Sequence, residues 1–278
     1  MSSNFEKVKQ FNTVFGHPVG AELQTNIFAE YPSIVSLRNN LIREEVSELL
    51  DAFANSDIVE MIDALSDILY VAYGLLVVYG VDGVQQYREH INKKISIMDG
   101  DNIESVRKIN IDENVKTNFE MTKHGMRMFF SNKTPHVIPK TFFNQFEELI
   151  SLQNLVNSYF SELEAELINL DSYSSKHNFS CVIDTTLEII YCTYMLGILM
   201  GVDLDQSVSM VHNSNMSKIC STEDEAKATI EWYKLNETRY DSPNYRKCSY
   251  GYVIFNESTG KILKNINYKP VDLSVFIS

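Results

Sequence analysis

MIDALSDILYVAYGLLVVYGVD (61–82) and VIDTTLEIIYCTYMLGILMGVD (182–203) agree at about nine of 22 positions. The matches include Asp63 with Asp184, Tyr70 with Tyr191, Tyr73 with Tyr194 and the closing Gly-Val-Asp. Each stretch is apolar nearly all round, the mark of a helix buried inside a bundle. Each also follows an acidic helical stretch, LIREEVSELLDAF (41–53) in one case and YFSELEAELINL (159–170) in the other. Two unrelated buried helices would share apolar composition but not the matched ending and the upstream acids. The chain therefore reads as an all-α protein of two related helical units, a tandem duplication.

Working outward, unit one covers 1–100, with helices expected at about 34–54 and 57–80. A polar stretch carrying Pro135 and Pro139 reads as a linker over 101–140. Unit two covers 141–220, with equivalent helices at about 143–170 and 178–200. The remainder, 221–278, opens with Thr222 and Glu225 at capping-box spacing ahead of a short helix, in which Trp232 is the expected anchor. YGYVIFNESTGKILKNINY (250–268) places β-branched and aromatic runs on either side of Ser-Thr-Gly and reads as a small C-terminal β-hairpin.

Composition sets outer limits. The 278 residues are 44% hydrophobic and carry 37 acidic against 24 basic groups, a formal net charge of −13. Such an acidic chain repels polyanions, so a nucleic acid polymer is not an expected partner. The four cysteines form no CxxC, which suits a reducing compartment. The N-terminus lacks the pattern of a signal peptide, and the most apolar run (68–81) is shorter than the roughly 20 residues a membrane span needs. A cytoplasmic protein with no membrane partner is expected.

The exceptions to apolar patterning carry the chemistry. At about 100° per residue, Glu44, Glu45 and Glu48 share one arc of the first helix with Leu37 and Leu41, at the border of its buried face. On the second helix Asp63 and Asp67 lie one turn apart in apolar surroundings, with Glu60 on the same side. Clustered carboxylates without partners are costly to bury, and Arg38 and Arg43 are the local candidates to neutralise them. A hard divalent cation would resolve the problem, since Mg²⁺ takes carboxylate oxygens and bridges to phosphates.

The order EExxE, a short connection, then DxxxD resembles the all-α nucleoside triphosphate pyrophosphohydrolase superfamily, which includes MazG, the dimeric dUTPases, the dCTP pyrophosphatases and phosphoribosyl-ATP pyrophosphohydrolase. The phage and virus type is the most similar. The carrying stretches are FNTVFGHPV (11–19), LRNNLIREEVSELLDAF (37–53), IDALSDILYVAYGLLVVYGVD (62–82), VHNSNMSKI (211–219) and GKILKNINYKPVDL (260–273). The resemblance implies a MazG-like bundle that binds Mg²⁺, with Mn²⁺ as an alternative, and cleaves between the α- and β-phosphates of a nucleoside triphosphate, a deoxynucleotide above all. It implies Glu45 and Glu48 as metal ligands, Glu44 as ligand or water base, and Asp67 as the acid closing the second motif. The family's usual glutamate three residues before that aspartate is Ala64 here, so Asp63 or Glu60 stands in. It further implies a homodimer and, for a viral protein, the host cytoplasm.

The two units diverge in complementary ways. Unit two keeps Glu162, Glu166 and Asp184 against Glu44, Glu48 and Asp63, but has Leu163 for Glu45 and Glu188 for Asp67. It also holds the clear SNMSK, with Asn215 and Lys218 as natural donors to phosphate oxygens. Unit one offers only Asn92 and Lys94 as imperfect counterparts. One composite site per chain is therefore expected, with acids from unit one and Asn215 and Lys218 from unit two. Its rivals are a catalytically inactive nucleotide-binding or scaffold protein, a phosphoribosyl-ATP pyrophosphohydrolase and a purely structural bundle.

Overall fold

The computed structural model describes residues 2–98 and 146–277. The linker expected over 101–140 lies outside them. Helix α1 (Asn4–Val14) begins at Ser3, whose side chain accepts the Glu6 N–H at 3.2 Å. A one-turn α2 (Ile27–Glu30) leads to α3 (Pro32–Asn55), α4 (Ile58–Val78) and α5 (Gly83–Met98). The second half supplies α6 (Phe146–Ser175), α7 (Phe179–Leu199) and α8 (Leu204–Met216). The four long helices lie within a few residues of their expected ranges.

The turns repeat as closely as the helices. Ser56, left-handed at φ 59°, ends α3, and Asp57 caps α4 by accepting the Glu60 N–H at 3.1 Å. At the matching point His177, at φ 55°, ends α6, and Asn178 caps α7 by accepting the Cys181 N–H at 3.2 Å. Gly80 and Gly201 both follow their helices at φ 69°. A β carbon at Gly80 would come within 1.9 Å of the Glu22 carbonyl oxygen, so that position needs glycine for space as well as for conformation. Asp82 then accepts the Val84 and Gln85 N–H groups, and Asp203 accepts that of Gln206, each at 3.1 Å.

These helices form two similar sub-bundles that share one core. The α3–α4 and α6–α7 hairpins pack together, α4 against α7 and α3 against α6. Ile42, Val46, Leu49, Leu65, Ile68, Ile189 and Ile190 are fully buried where they meet. The third helix of each sub-bundle crosses over. α8 packs on α4 and α1, and α5 packs chiefly on α7. A hydrogen bond of 2.7 Å between the hydroxyls of Ser66 and Ser207 pins α8 to α4 inside the core. The helices Ile58–Val78 and Phe179–Leu199 are long and apolar enough to cross a membrane by length and composition, but 83% and 67% of their most apolar windows are buried against protein.

The C-terminal part adds α9 (Glu223–Asn236), capped as expected by Thr222, which accepts the Glu225 N–H at 3.2 Å. An antiparallel hairpin follows, of β1 (Pro243–Cys248) and β2 (Gly251–Asn256). Its placement differs from the expected one. The turn lies at Ser249-Tyr250, and the segment after Ser-Thr-Gly touches β2 only through a Phe255–Ile262 bridge. The polar PNYRKC gives no alternating apolar signal, because β1 is half-buried along most of its length. Trp232 is 47% exposed, while its neighbour Tyr233 is buried with Ile230, Ile254 and Leu263 and anchors the helix. Val253 packs on Val14 and Phe15, which ties the hairpin to the end of α1.

Candidate functional site

The antiparallel α3 and α4 bring the expected acids into one electrostatic group. Glu45, Asp63 and Asp67 are half-buried, and Glu44, Glu48 and Glu60 are exposed at the rim. Burial, then the charges of Asp67, Glu48, Glu44 and Asp63, push Glu45 up to about 8. Burial and then Asp63 push Asp67 up to about 7, with Lys218 acting in the opposite sense. Asp63 is also raised, by burial, Glu60 and Glu48. Of the two candidates left open by the sequence, Asp63 is half-buried and Glu60 is exposed beside it. Neither arginine neutralises it. Arg43 pairs with Asp171 and donates to Asn40 at 2.6 Å, whereas the Arg38 guanidinium lies across Gly74. Among the described residues none of these six acids forms an ion pair. A cluster of hard carboxylate oxygens, three of its groups raised by burial and then by neighbouring charge, has the chemistry that fits Mg²⁺ or Mn²⁺.

Crossing of α8 onto α4 brings Asn215 and Lys218 to these acids. The Lys218 ammonium donates to Asn215 Oδ1 at 2.6 Å. Burial first, and Lys264 second, hold Lys218 below the usual lysine range, while Asp67 pulls it up. Asn215 also hydrogen-bonds the Tyr70 hydroxyl, which lies 3.0 Å from His212 Nδ1. The other two expected binding residues lie elsewhere, on α5. Asn92 is exposed, and Lys94 reaches the second sub-bundle.

There the same architecture builds a second centre. Glu162, Glu188 and Cys192 bring two carboxylate oxygens and a sulfur within 4.8 Å of one another, a triad capable of coordinating a divalent metal. Two side chains from α5 already contact Glu188. Lys94 pairs with one carboxylate oxygen, and His90 Nε2 lies 2.9 Å from the other. The Lys94 ammonium also sits 4.4 Å from the centre of the Tyr191 ring. Burial pushes Glu188 up, but His90 and Lys94 outweigh it and hold this carboxyl below its usual value. Burial and then Glu162 and Glu188 push the Cys192 thiol up, so it stays protonated and is a weak ligand. Asp184 is exposed. His90 and Cys192 have no ligand spacing along the chain. The repeat register carried the available signal, since it sets Cys192 against Val71 and Lys94 against Asn215.

Residues 8–94 match the phosphoribosyl-ATP pyrophosphohydrolase family. That span runs from within α1 to within α5 and includes every acid of the first centre, and the all-α fold is consistent with the broader MazG-like superfamily. Over nearly its full length the chain is similar to "Uncharacterized protein L479" of Acanthamoeba polyphaga mimivirus, at 31% identity, covering 98% of this chain and 95% of that protein. No solved structure matches significantly.

Proposed function

We propose that this chain, which belongs to one family with the mimivirus protein, is a metal-dependent nucleotide pyrophosphohydrolase. Its substrate is a nucleoside triphosphate, a deoxynucleotide above all, cleaved to a monophosphate and pyrophosphate. The observation that carries the reading is the carboxylate group of α3 and α4, without an ion pair among the described residues and faced by Lys218 just past the end of α8. The internal resemblance of the sub-bundles reflects a duplication, in which unit one keeps the acids and unit two keeps the phosphate donors. Because both sets lie on one chain, a single copy suffices for a site. A viral protein with this activity works in the host cytoplasm.

Glu45, Glu48, Asp63 and Asp67 would hold Mg²⁺ or Mn²⁺, which supplies charge neutralisation to the phosphates and a lower pKa to bound water. Lys218 and Asn215 donate to phosphate oxygens and fix the polyphosphate against the acids. Glu44, at the rim, accepts the proton of the water that attacks the α-phosphorus. The bond from that phosphorus to the bridging oxygen breaks, and pyrophosphate departs with the bonding electrons. Positioning and electrostatic relief of this kind are what phosphoryl transfer mostly requires.

The test is pyrophosphate release from the common NTPs and dNTPs and from phosphoribosyl-ATP, in Mg²⁺ and in EDTA, for the wild type and Glu48→Gln. Mg²⁺-dependent release that Glu48→Gln abolishes supports the reading. Phosphoribosyl-ATP as the fastest substrate would favour the second reading, to which the match over residues 8–94 points. No release from any substrate by folded protein would leave an inactive nucleotide-binding protein.

A further inference from the structure

Among the described residues the buried Arg38 forms no ion pair. Arg38 is 8% exposed, and its Nε is buried without a hydrogen-bond partner among the described residues. The guanidinium lies across α4 where a β carbon on Gly74 would come within 2.9 Å of Nη1. Tyr79 is fully buried close by, and its hydroxyl is also without a partner. Leaving a buried guanidinium nitrogen and a buried hydroxyl unsatisfied is destabilising, so such groups call for an explanation in a ligand or in water.

The surroundings define the ligand. Arg38 stands seven residues before Glu45 on α3, and Gly74 seven residues after Asp67 on the antiparallel α4. The guanidinium is therefore about 10 Å from the acids along both helices, roughly the reach from a nucleotide's phosphates to the far edge of its base. Aromatic rings bridge the interval. His17 stacks on Phe11 at 5.6 Å and 27°, and Phe11 meets the edge of Tyr70, the residue that contacts Asn215. Burial, then the charges of Arg38, Arg246 and Lys218, push His17 down to about 4, so its ring is an uncharged flat face at neutral pH.

We infer that Arg38 reads the base of the nucleotide and selects a 6-oxopurine. The inference rests on the pyrophosphohydrolase reading for the location of the phosphates. A guanidinium only donates, and its fork matches two adjacent acceptors such as O6 and N7 of guanine. Adenine sets an amino donor beside N7, and cytosine likewise sets its amino group at the major-groove edge, so each would meet the fork with a donor. A lysine at this position would keep the charge but lose the paired geometry.

The experiment is equilibrium binding of GMP, AMP and inorganic phosphate to the full chain, in Mg²⁺ and in EDTA, for the wild type, Arg38→Lys and Arg38→Met. The wild type should prefer GMP to AMP by roughly 10-fold or more. Arg38→Met should lose the preference, and Arg38→Lys most of it. The melting temperature of Arg38→Met should be unchanged or higher, because the substitution removes an uncompensated buried charge; loss of preference then is not loss of fold. Equal affinity for GMP and AMP, or a preference that survives in Arg38→Met, overturns the inference. So does GMP binding too weak to measure at millimolar concentration, which would leave the guanidinium to water. Inorganic phosphate binding that depends on Arg38 would reassign it as an anion contact and overturn the inference. A GMP preference in a protein that releases no pyrophosphate would leave this inference standing and sink the catalytic one.

Discussion

At the first centre α3 and α4 gather six carboxylates, and the facing helix α8 offers them one partly buried lysine at a distance. At the second, α6 and α7 carry fewer acids, and α5 places Lys94 and His90 directly on Glu188. The backbone plan is the same, down to the left-handed residue and the capped turn before each second helix. What differs is the source of positive charge. The second centre draws positive charge from α5 of the same chain, while none of the first centre's acids forms an ion pair among the described residues. Several side-chain changes along the repeat separate the two, among them Glu188 for Asp67, Leu163 for Glu45, and Lys94 where unit two has Asn215.

The widest gap between the centres should show in catalysis. Asp67→Asn should lower the rate of pyrophosphate release by roughly 10²–10³-fold, whereas its counterpart Glu188→Gln should leave the rate nearly unchanged and lower thermal stability, by stranding Lys94 and His90 without their acid. Equal rate losses in the two variants would erase the distinction. A smaller effect should follow from removing the internal cation. Lys94→Met should let the triad of Glu162, Glu188 and Cys192 take up a divalent ion, so titration would count one more bound ion per chain than in the wild type; an unchanged count would mean that Lys94 is not what keeps the second centre closed.

The smallest signal lies in pH. Glu45 and Asp67 titrate near 8 and 7 in the metal-free fold, against about 4 for unfolded carboxylates. The folded state thus holds more protons, and their contribution to stability is full below about pH 4 and is lost as pH rises through 7 and 8. A cation requires the ionised forms, so its stabilisation grows across the same window. Melting temperatures in Mg²⁺ and in EDTA should diverge steadily from pH 5 to pH 9, and less so in Asp67→Asn. Parallel curves would remove the acids from the metal centre.

Much of this was legible in the chain. The long helices follow from apolar periodicity, the acids stand out because they interrupt it, and the shared Gly-Val-Asp endings announce the repeat. Crossing of α5 and α8 was visible only indirectly, through the complementary loss of motif pieces. Which helix packs on which depends on the whole core, not on local pattern. The partner of Lys94 was hidden for the same reason, since Glu188 lies on another helix far along the chain. β1 has no alternating pattern in sequence because its residues are polar and half-buried, and Tyr233 rather than the larger Trp232 anchors α9 because side-chain size says nothing of which way a residue faces. The isolation of Arg38 has no signature in sequence at all, because lack of a partner is a property of the folded surroundings.

The exchange of third helices between the sub-bundles bears on how the protein behaves on dilution. When two halves belong to separate molecules, a site that needs both disappears as the concentration falls below their dissociation constant. Here the halves share a backbone, and a tether holds such partners at an effective concentration that for short flexible connections is of millimolar order. Occupancy of the joint is then set by the chain and not by copy number. A few molecules would then be as well assembled as many.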